Sequence, residues 1–178
     1  MRSLCRNSAL VACGVLIFSV PFAPMRAAPA ETAQLVTLAV FDFELEDVSA
    51  AGALSAGESA ADTTRMQAVT AEARRLLAQS GRYSLINTDG IDAEQVKSLR
   101  DCDGCDVSFA VKLGAARSFI GVVTRVAKTE YYVSLRITDT GTGKVINQQT
   151  AFFTGADDAW ASGVRMLIKH GVLADPNY

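Results

Sequence analysis

The chain has 178 residues, with 17 basic and 19 acidic side chains and a formal net charge of −2 at pH 7. The basic residues are scattered along the sequence, which excludes the clustered positive charge expected of a protein that binds nucleic acid or an anionic membrane surface. A chain of this length suits one domain with a sizeable core.

The first 30 residues have the three-part layout of a secretory signal peptide. A short basic start is followed by an apolar run over residues 9–22 and then by small residues that end at Ala30. The run is about 14 residues long, whereas a membrane span needs about 20. We therefore predict export with cleavage near Ala30, with Ala27 as the alternative site. A lipoprotein with Cys13 acylated fits less well, because an apolar stretch would remain on the processed chain.

Cleavage leaves residues 31–178, which we predict to be a single periplasmic domain. The segment removed carries three arginines and no acidic residue, so that 14 basic and 19 acidic side chains remain. No later apolar segment is long enough to cross a membrane. We therefore predict a processed chain that has no transmembrane segment and does not bind nucleic acid.

The first predicted element is a strand over residues 35–43. Its nearly continuous apolar run is typical of a strand buried on both faces of a sheet. Residues 44–61 show neither helical nor strand periodicity and predict a long, flexible surface loop. The acidic residues around its start lie where α/β sheets often place ligand sites, and we favour a solvated acidic loop over a Ca²⁺ site. These residues are Asp42, Glu44, Glu46 and Asp47.

Apolar residues recur at helical spacing over residues 62–80. This pattern predicts an amphipathic helix that is capped by Asp62 or Thr63 and packs on the sheet. A short strand is predicted over residues 83–86 and a short helix over residues 92–99, just before the loop that carries the cysteines.

The second half of the chain predicts a short helix, three strands and a final helix. Their ranges are 107–113 for the short helix with Asp106 as its cap, 119–126, 131–138 and 144–153 for the strands, and 157–170 for the final helix. The middle strand alternates between apolar and polar residues, and Gly141 and Gly143 after it predict a hairpin turn, so the three strands are antiparallel. The order β-α-β-α-α-β-β-β-α describes a single α/β domain with a mixed sheet.

Several motifs resemble known envelope proteins. Residues 38–43, 76–83, 113–115 and 139–144 are similar to the module shared by the TolB amino-terminal domain and the curli-secretion pore protein. More narrowly, residues 102–105, the Leu-Gly-Ala at 113–115 and the Asp-Ala-Trp at 158–160 followed by Gly163 resemble small exported proteobacterial proteins known as a domain of unknown function. The resemblance covers nearly the whole processed chain. It implies a periplasmic, TolB-N-like fold and no known reaction.

Cys102 and Cys105 are the cysteines that remain after cleavage. An oxidising periplasm favours a disulfide between them, and Gly104 gives the short loop the freedom to close. The alternative is a redox dithiol, because Cys105 lies at a predicted helix N-terminus that would stabilise a thiolate. Three neighbouring aspartates oppose a thiolate, and we favour the structural disulfide. The pair has too few nearby ligands for a zinc site and no following histidine for a c-type haem.

Other candidate catalytic residues are few. His170 is the single histidine and is interpreted as a surface residue near a helix end. The Gly-Thr-Gly-Lys at 141–144 is interpreted as a hairpin rather than a phosphate loop, and a Gly-x-Ser-x-Gly nucleophile motif is absent from the sequence. We therefore expect no enzyme, no cofactor and no metal.

The sequence favours a non-catalytic periplasmic accessory or scaffold protein that binds another cell-envelope protein. Glu44, Glu46, Asp47 and Trp160 are the candidate interaction surface, although Trp160 is more typical of the core or its edge. The alternative is a thiol-disulfide accessory factor that uses the cysteine pair.

Overall fold

The computed structural model describes residues 34–54, 58–89, 91 and 98–174. The predicted signal peptide and most of the helix predicted at 92–99 lie outside the described residues. Within them, no helix is both long enough and apolar enough to span a membrane.

Six strands and three α-helices are formed by the described residues. In chain order they are β1 (Val36–Val40), β2 (Glu44–Asp47), α1 (Ala60–Gln79), β3 (Tyr83–Ile86), α2 (Cys105–Lys112), β4 (Arg117–Ala127), β5 (Glu130–Asp139), β6 (Val145–Thr154) and α3 (Trp160–Leu167). Short 3₁₀ turns lie at Gly52–Leu54 and Asp157–Ala159, and a π-helical turn, Ile168–Val172, follows α3. This is the α/β domain with a mixed sheet that the sequence predicts.

The sheet has the strand order β3-β1-β4-β5-β6, and β2 pairs with β4 beyond the end of β1. The pairings of β1 with β3, of β1 with β4 and of β2 with β4 are parallel. Strands β4, β5 and β6 are antiparallel, as predicted. The sheet therefore joins a parallel half, built by crossovers, to a sequential antiparallel half.

The two faces of the sheet are covered to different extents. Side chains of β1 and of the residue that follows it alternate between two cores, with Leu38 and Val40 in the larger core and Ala39 and Phe41 in the smaller one. This alternation confirms that the first strand is buried on both faces. Helices α1 and α3 cover the larger core, which lies on the first face, whereas α2 and Leu99 cover only part of the second face.

The loop predicted from residue 44 begins later than expected. Glu44–Asp47 forms β2, whose register places Glu44 beside Val122 and Asp47 beside Arg125 of β4. The pairing partner lies far along the chain, and the local sequence Glu-Leu-Glu-Asp gives little sign of it. The prediction of a loop is therefore wrong for these four residues.

Two predicted helix caps also differ from the structure. Helix α1 is capped by Ser59, whose hydroxyl accepts a 3.1 Å hydrogen bond from the Asp62 N–H, and Asp62 binds back to complete a capping box. Asp62 thus supports the cap from inside the helix instead of being the cap. Helix α2 begins at Cys105 after Gly104, which adopts a φ of +78°, and Asp106 is buried rather than capping the helix.

Candidate interaction surface

Cys102 and Cys105 are joined by a disulfide, with their Cα atoms 5.6 Å apart. Cys105 is the first residue of α2 and packs against the smaller core, near buried Leu99. The bond therefore connects the turn after Leu99 to the start of α2. This placement fits the predicted structural role of the pair.

Glu44 holds this disulfide loop against the sheet. Its carboxylate accepts hydrogen bonds from the Leu99 N–H, at 2.5 Å, and from the Arg100 guanidinium, at 3.4 Å. Burial raises the pKa of Glu44, and the hydrogen bonds from Leu99 and Arg100 act in the opposite direction. Glu44 was predicted to face a partner, but the structure gives it an internal anchoring contact.

Asp106 is a second internal anchor, which the sequence did not reveal. Only 1% of the residue is exposed, and its carboxylate accepts hydrogen bonds from the Ser118 hydroxyl at 2.5 Å and from Arg136 at 3.2 Å. These contacts attach α2 to β4 and β5. An acidic residue in the first turn of a helix normally indicates a solvent-exposed position, so the pattern gave no signal of burial.

The predicted acidic cluster does not converge on one point. Asp42 pairs with Arg74 at 3.0 Å, Glu46 accepts a hydrogen bond from Thr124 at 2.9 Å, and Asp47 pairs with Arg125 at 2.7 Å. Because side chains alternate along β2, Glu46 lies on the second face and Asp47 on the first. Among the described residues, no group of three or more His, Cys, Asp or Glu side chains is arranged to hold a metal ion.

Arg125 links three separate segments to β4. Its guanidinium contacts Asp47 at 2.7 Å, Asp157 at 3.3 Å and Asp62, and it lies 4.9 Å from the centre of the Trp160 ring. Burial acts to raise the pKa values of Asp47 and Asp62, but hydrogen bonds from Arg125 and from nearby serines hold both below the usual range. We call Arg125, Asp47, Asp62 and Asp157 the Arg125 cluster. The sequence prediction missed it, because its members are dispersed along the chain.

Trp160 belongs to the core. It is 1% exposed and packs against Tyr131, with ring centroids 6.3 Å apart. The prediction that Trp160 contributes to an interaction surface is therefore wrong, and its interpretation as a core residue is correct. His170, by contrast, is exposed in the π-helical turn, as expected.

The second face of the sheet carries a row of side chains that α2 does not cover. The sheet register aligns Glu46 of β2 with Thr124 of β4, Tyr132 of β5 and Phe152 of β6. Tyr132 and Phe152 are 41% and 48% exposed, and their rings meet edge to face at 5.1 Å. We call these four residues the open row. It has an acidic end at Glu46 and an aromatic end at Phe152.

The model of the family DUF3280, described as "Protein of unknown function (DUF2380)", matches residues 36–172 of the chain. The match confirms the domain of unknown function that the sequence motifs indicated. No curated protein is similar enough in sequence to match.

Several solved structures are similar to this one. The LpoB C-terminal domain from Salmonella enterica has 14% identity and a TM-score of 0.47, covering 71% of this chain and 87% of its own. Lipoprotein GNA1162 from Neisseria meningitidis has 15% identity and a TM-score of 0.49, covering 78% and 94%. TolB from Acinetobacter baumannii has 12% identity and a TM-score of 0.43, covering 75% of this chain and 26% of its own. At these identities the likeness concerns the fold alone.

Proposed function

Because the chain belongs to this family of proteins of unknown function, we propose its role from its own residues: it is a non-catalytic periplasmic accessory or scaffold protein that binds another cell-envelope protein. The predicted signal peptide supports export. The disulfide between Cys102 and Cys105 fits an oxidising compartment such as the periplasm.

The contacts of the reactive side chains support binding rather than catalysis. The two cysteines are bonded to each other, and buried Asp106 is engaged by Ser118 and Arg136. Burial acts to raise the pKa values of Asp47 and Asp62, but hydrogen bonds from Arg125 and nearby serines hold both below the usual range, so these carboxylates are poor proton acceptors. These groups are therefore used to hold the fold together.

The open row is the observation that carries the proposal. Exposed aromatic side chains on a sheet face, next to polar groups, are typical of protein-binding surfaces, where Tyr and Phe are enriched. Glu46, at the other end of the row, offers a carboxylate to a basic group. We therefore expect a partner that presents an apolar side chain to Tyr132 and a lysine or arginine to Glu46.

The experiment is a cross-linking capture from envelope extracts with the tagged full chain, read by mass spectrometry. The variants are Tyr132→Ser and Glu46→Gln, and Val111→Ser is the matched control because Val111 is exposed on α2, away from the open row. We expect a protein that the wild type and the control enrich equally and that both open-row variants lose. Capture that never enriches a protein reproducibly, or that is unchanged in the variants, overturns the proposal.

A thiol-disulfide accessory factor is the second candidate, and it rests on Cys105 being the first residue of α2. Helix N-termini stabilise thiolates, which is the property that such factors use. The packing of Cys105 against the smaller core argues against this function, because it gives the disulfide a structural role. The reduction potential of the pair separates the two candidates.

A further inference from the structure

Strand β6 ends the sheet on its antiparallel side. An edge strand presents a row of unpaired backbone N–H and C=O groups, and proteins usually protect such edges with charged residues, proline or short length. The ten residues Val145–Thr154 include no charged residue and no proline. The opposite edge strand, β3, has only four residues. Strand β6 is therefore long and uncharged, and its pairing with β5 is interrupted by a bulge near its start, between Val145 and Asn147.

Apolar side chains concentrate around this edge. Four of the eight large hydrophobic residues exposed in the described part of the chain, namely Tyr132, Val145, Phe152 and Met166, lie on or beside β6. Helix α3 lies over β6, because a Cβ at Gly163 would come within 3.3 Å of the Phe153 ring. Met166, three residues further on, lies on the same side of the helix. A strand added at β6 would thus meet Phe152 on the second face of the sheet, with α3 over the first face.

We propose that a second copy of this chain occupies the β6 edge, with the two β6 strands antiparallel about a two-fold axis at Thr150. Residues opposite each other in an antiparallel pair lie on the same face of a sheet. When β6 pairs with itself, each residue must therefore face a residue from the same face, so that even numbers pair with even numbers and odd numbers with odd numbers. Every axis that passes through a residue meets that condition. Centring on Thr150, near the middle of β6, pairs most of the strand. It places Thr150 opposite its equivalent and Gln148 opposite Phe152 of the other copy. Such an interface is isologous, which is the commonest arrangement of a homodimer.

Charge at the two ends of β6 selects a second copy as the occupant. Lys144 precedes the strand and Asp158 follows it, and both are exposed. In the antiparallel pair, Lys144 of one copy lies opposite residue 156 of the other, two residues before Asp158, so that opposite charges come near each other at both ends. Strand β6, which lies between these two charged residues, is uncharged, so the pairing places no charged side chain against the backbone of the other copy. The same edge aligned in parallel would bring Lys144 beside Lys144.

The dimer goes beyond the proposed function and does not depend on it. The two-fold axis is perpendicular to the sheet, so the second faces of both copies lie on the same side. The two open rows then form one surface, with their aromatic ends nearest to the axis. Loss of the dimer and loss of the envelope partner are separable, because Thr150 is not in the open row.

The first test is the mass of the full chain in solution, measured by sedimentation over roughly a hundredfold range of concentration up to about 100 μM. Thr150→Lys places two like charges directly opposite each other, which destabilises a strand pair. Ser84→Lys is the matched control, since Ser84 is exposed on the short edge strand β3. We expect a dimer for the wild type and for Ser84→Lys and a folded monomer for Thr150→Lys. A wild type that stays monomeric, or a dimer that Thr150→Lys leaves intact, overturns the proposal.

The second test addresses the register. Equivalent residues at the axis have Cα atoms about 4.5–5.5 Å apart in an antiparallel pair, which is within the range that a disulfide spans. Thr150→Cys should therefore form a covalent dimer on mild oxidation, and Ser84→Cys should not. The charge arrangement predicts that Lys144→Glu weakens the dimer and that Lys144→Glu combined with Asp158→Lys restores it. Equal cross-linking by both cysteine variants contradicts the proposed axis.

Discussion

The guanidinium of Arg125 lies 4.9 Å from the centre of the buried Trp160 ring, so that one cation connects the sheet to the start of α3. Only 14% of the Arg125 side chain is exposed, and three carboxylates surround it. A cation between an aromatic face and several carboxylates is stabilised by both. The loss of Arg125 would therefore affect β2, α1 and the start of α3 together.

We predict that Arg125→Ala lowers the free energy of unfolding by about 3 kcal/mol, because it leaves Asp47 without its cation and leaves Asp62 and Asp157 with only the more exposed Arg65. Urea denaturation at pH 7 measures the change. Arg75→Ala serves as the control, since Arg75 forms a more exposed pair with Glu72 and its loss should cost less than the loss of Arg125. Equal losses in the two variants would contradict the structural role of Arg125.

The stability of the protein should fall at acidic pH. Hydrogen bonds from Arg75 and Arg165, which outweigh partial burial, lower the pKa of Glu72 from 4.5 to about 2. The pKa values of Asp47 and Asp62 are also lowered. A group with a lowered pKa in the folded state stabilises the protein above its unfolded pKa, and this contribution is lost as the pH falls through the folded pKa.

Glu72→Gln tests this dependence. We expect the variant to be less stable than the wild type at pH 7 and to lose less stability between about pH 4.5 and pH 2, because it lacks the titrating carboxylate. Urea denaturation across that range measures the loss, with exposed Glu130→Gln as the control. Parallel curves for the wild type and Glu72→Gln would show that Glu72 does not contribute.

Gly121→Ala should destabilise the protein by about 2 kcal/mol, because a Cβ at this position would overlap the ring of Phe43. The double variant with Phe43→Leu should lose less than the sum of the two single variants, since the ring no longer opposes the methyl group. Gly141→Ala is a suitable control, because its Cβ would make only an ordinary contact with Asp139 at 3.6 Å. Thermal denaturation measures all four variants, and additive losses would argue against the close contact.

The disulfide should be a stable structural bond. Cys102→Ser with Cys105→Ser should cost about 2 kcal/mol, since the loop that the bond closes is short. The reduction potential of the pair should lie below about −300 mV, as is typical of structural disulfides. A potential near −200 mV, measured in glutathione buffers, would instead favour the thiol-disulfide function.

The sequence was most informative where a pattern is local. The continuous apolar run of β1 reflects burial on two faces, and the alternation of β5 reflects burial on one face. Strand β5 was predicted within one residue of its observed bounds, whereas β1 ends at Val40, three residues before its predicted end. Strand β2 was missed because its pairing with β4 is set by residues far along the chain. Ser59 was also overlooked as a cap, although the spacing Ser-x-x-Asp indicated it.

The candidate site was harder to predict, because it depends on register. Glu46 was chosen as one of the acidic residues that follow the first predicted strand, and only the sheet places it in one row with Tyr132 and Phe152. Glu44 and Asp47 were chosen for the same reason and make internal contacts instead. A sequence shows which residues are acidic, but the alternation of a strand decides which of them face solvent.

The Arg125 cluster also has a consequence for how the chain folds. Asp47, Asp62 and Asp157 meet Arg125 only after β2, α1 and the segment before α3 have all docked on β4, whereas the β5–β6 hairpin forms from neighbouring residues. Contacts that assemble last are absent from the folding transition state, so their removal speeds unfolding and leaves the folding rate nearly unchanged. We therefore expect the cluster to act chiefly by slowing unfolding, which lengthens the time that the protein stays folded between unfolding events.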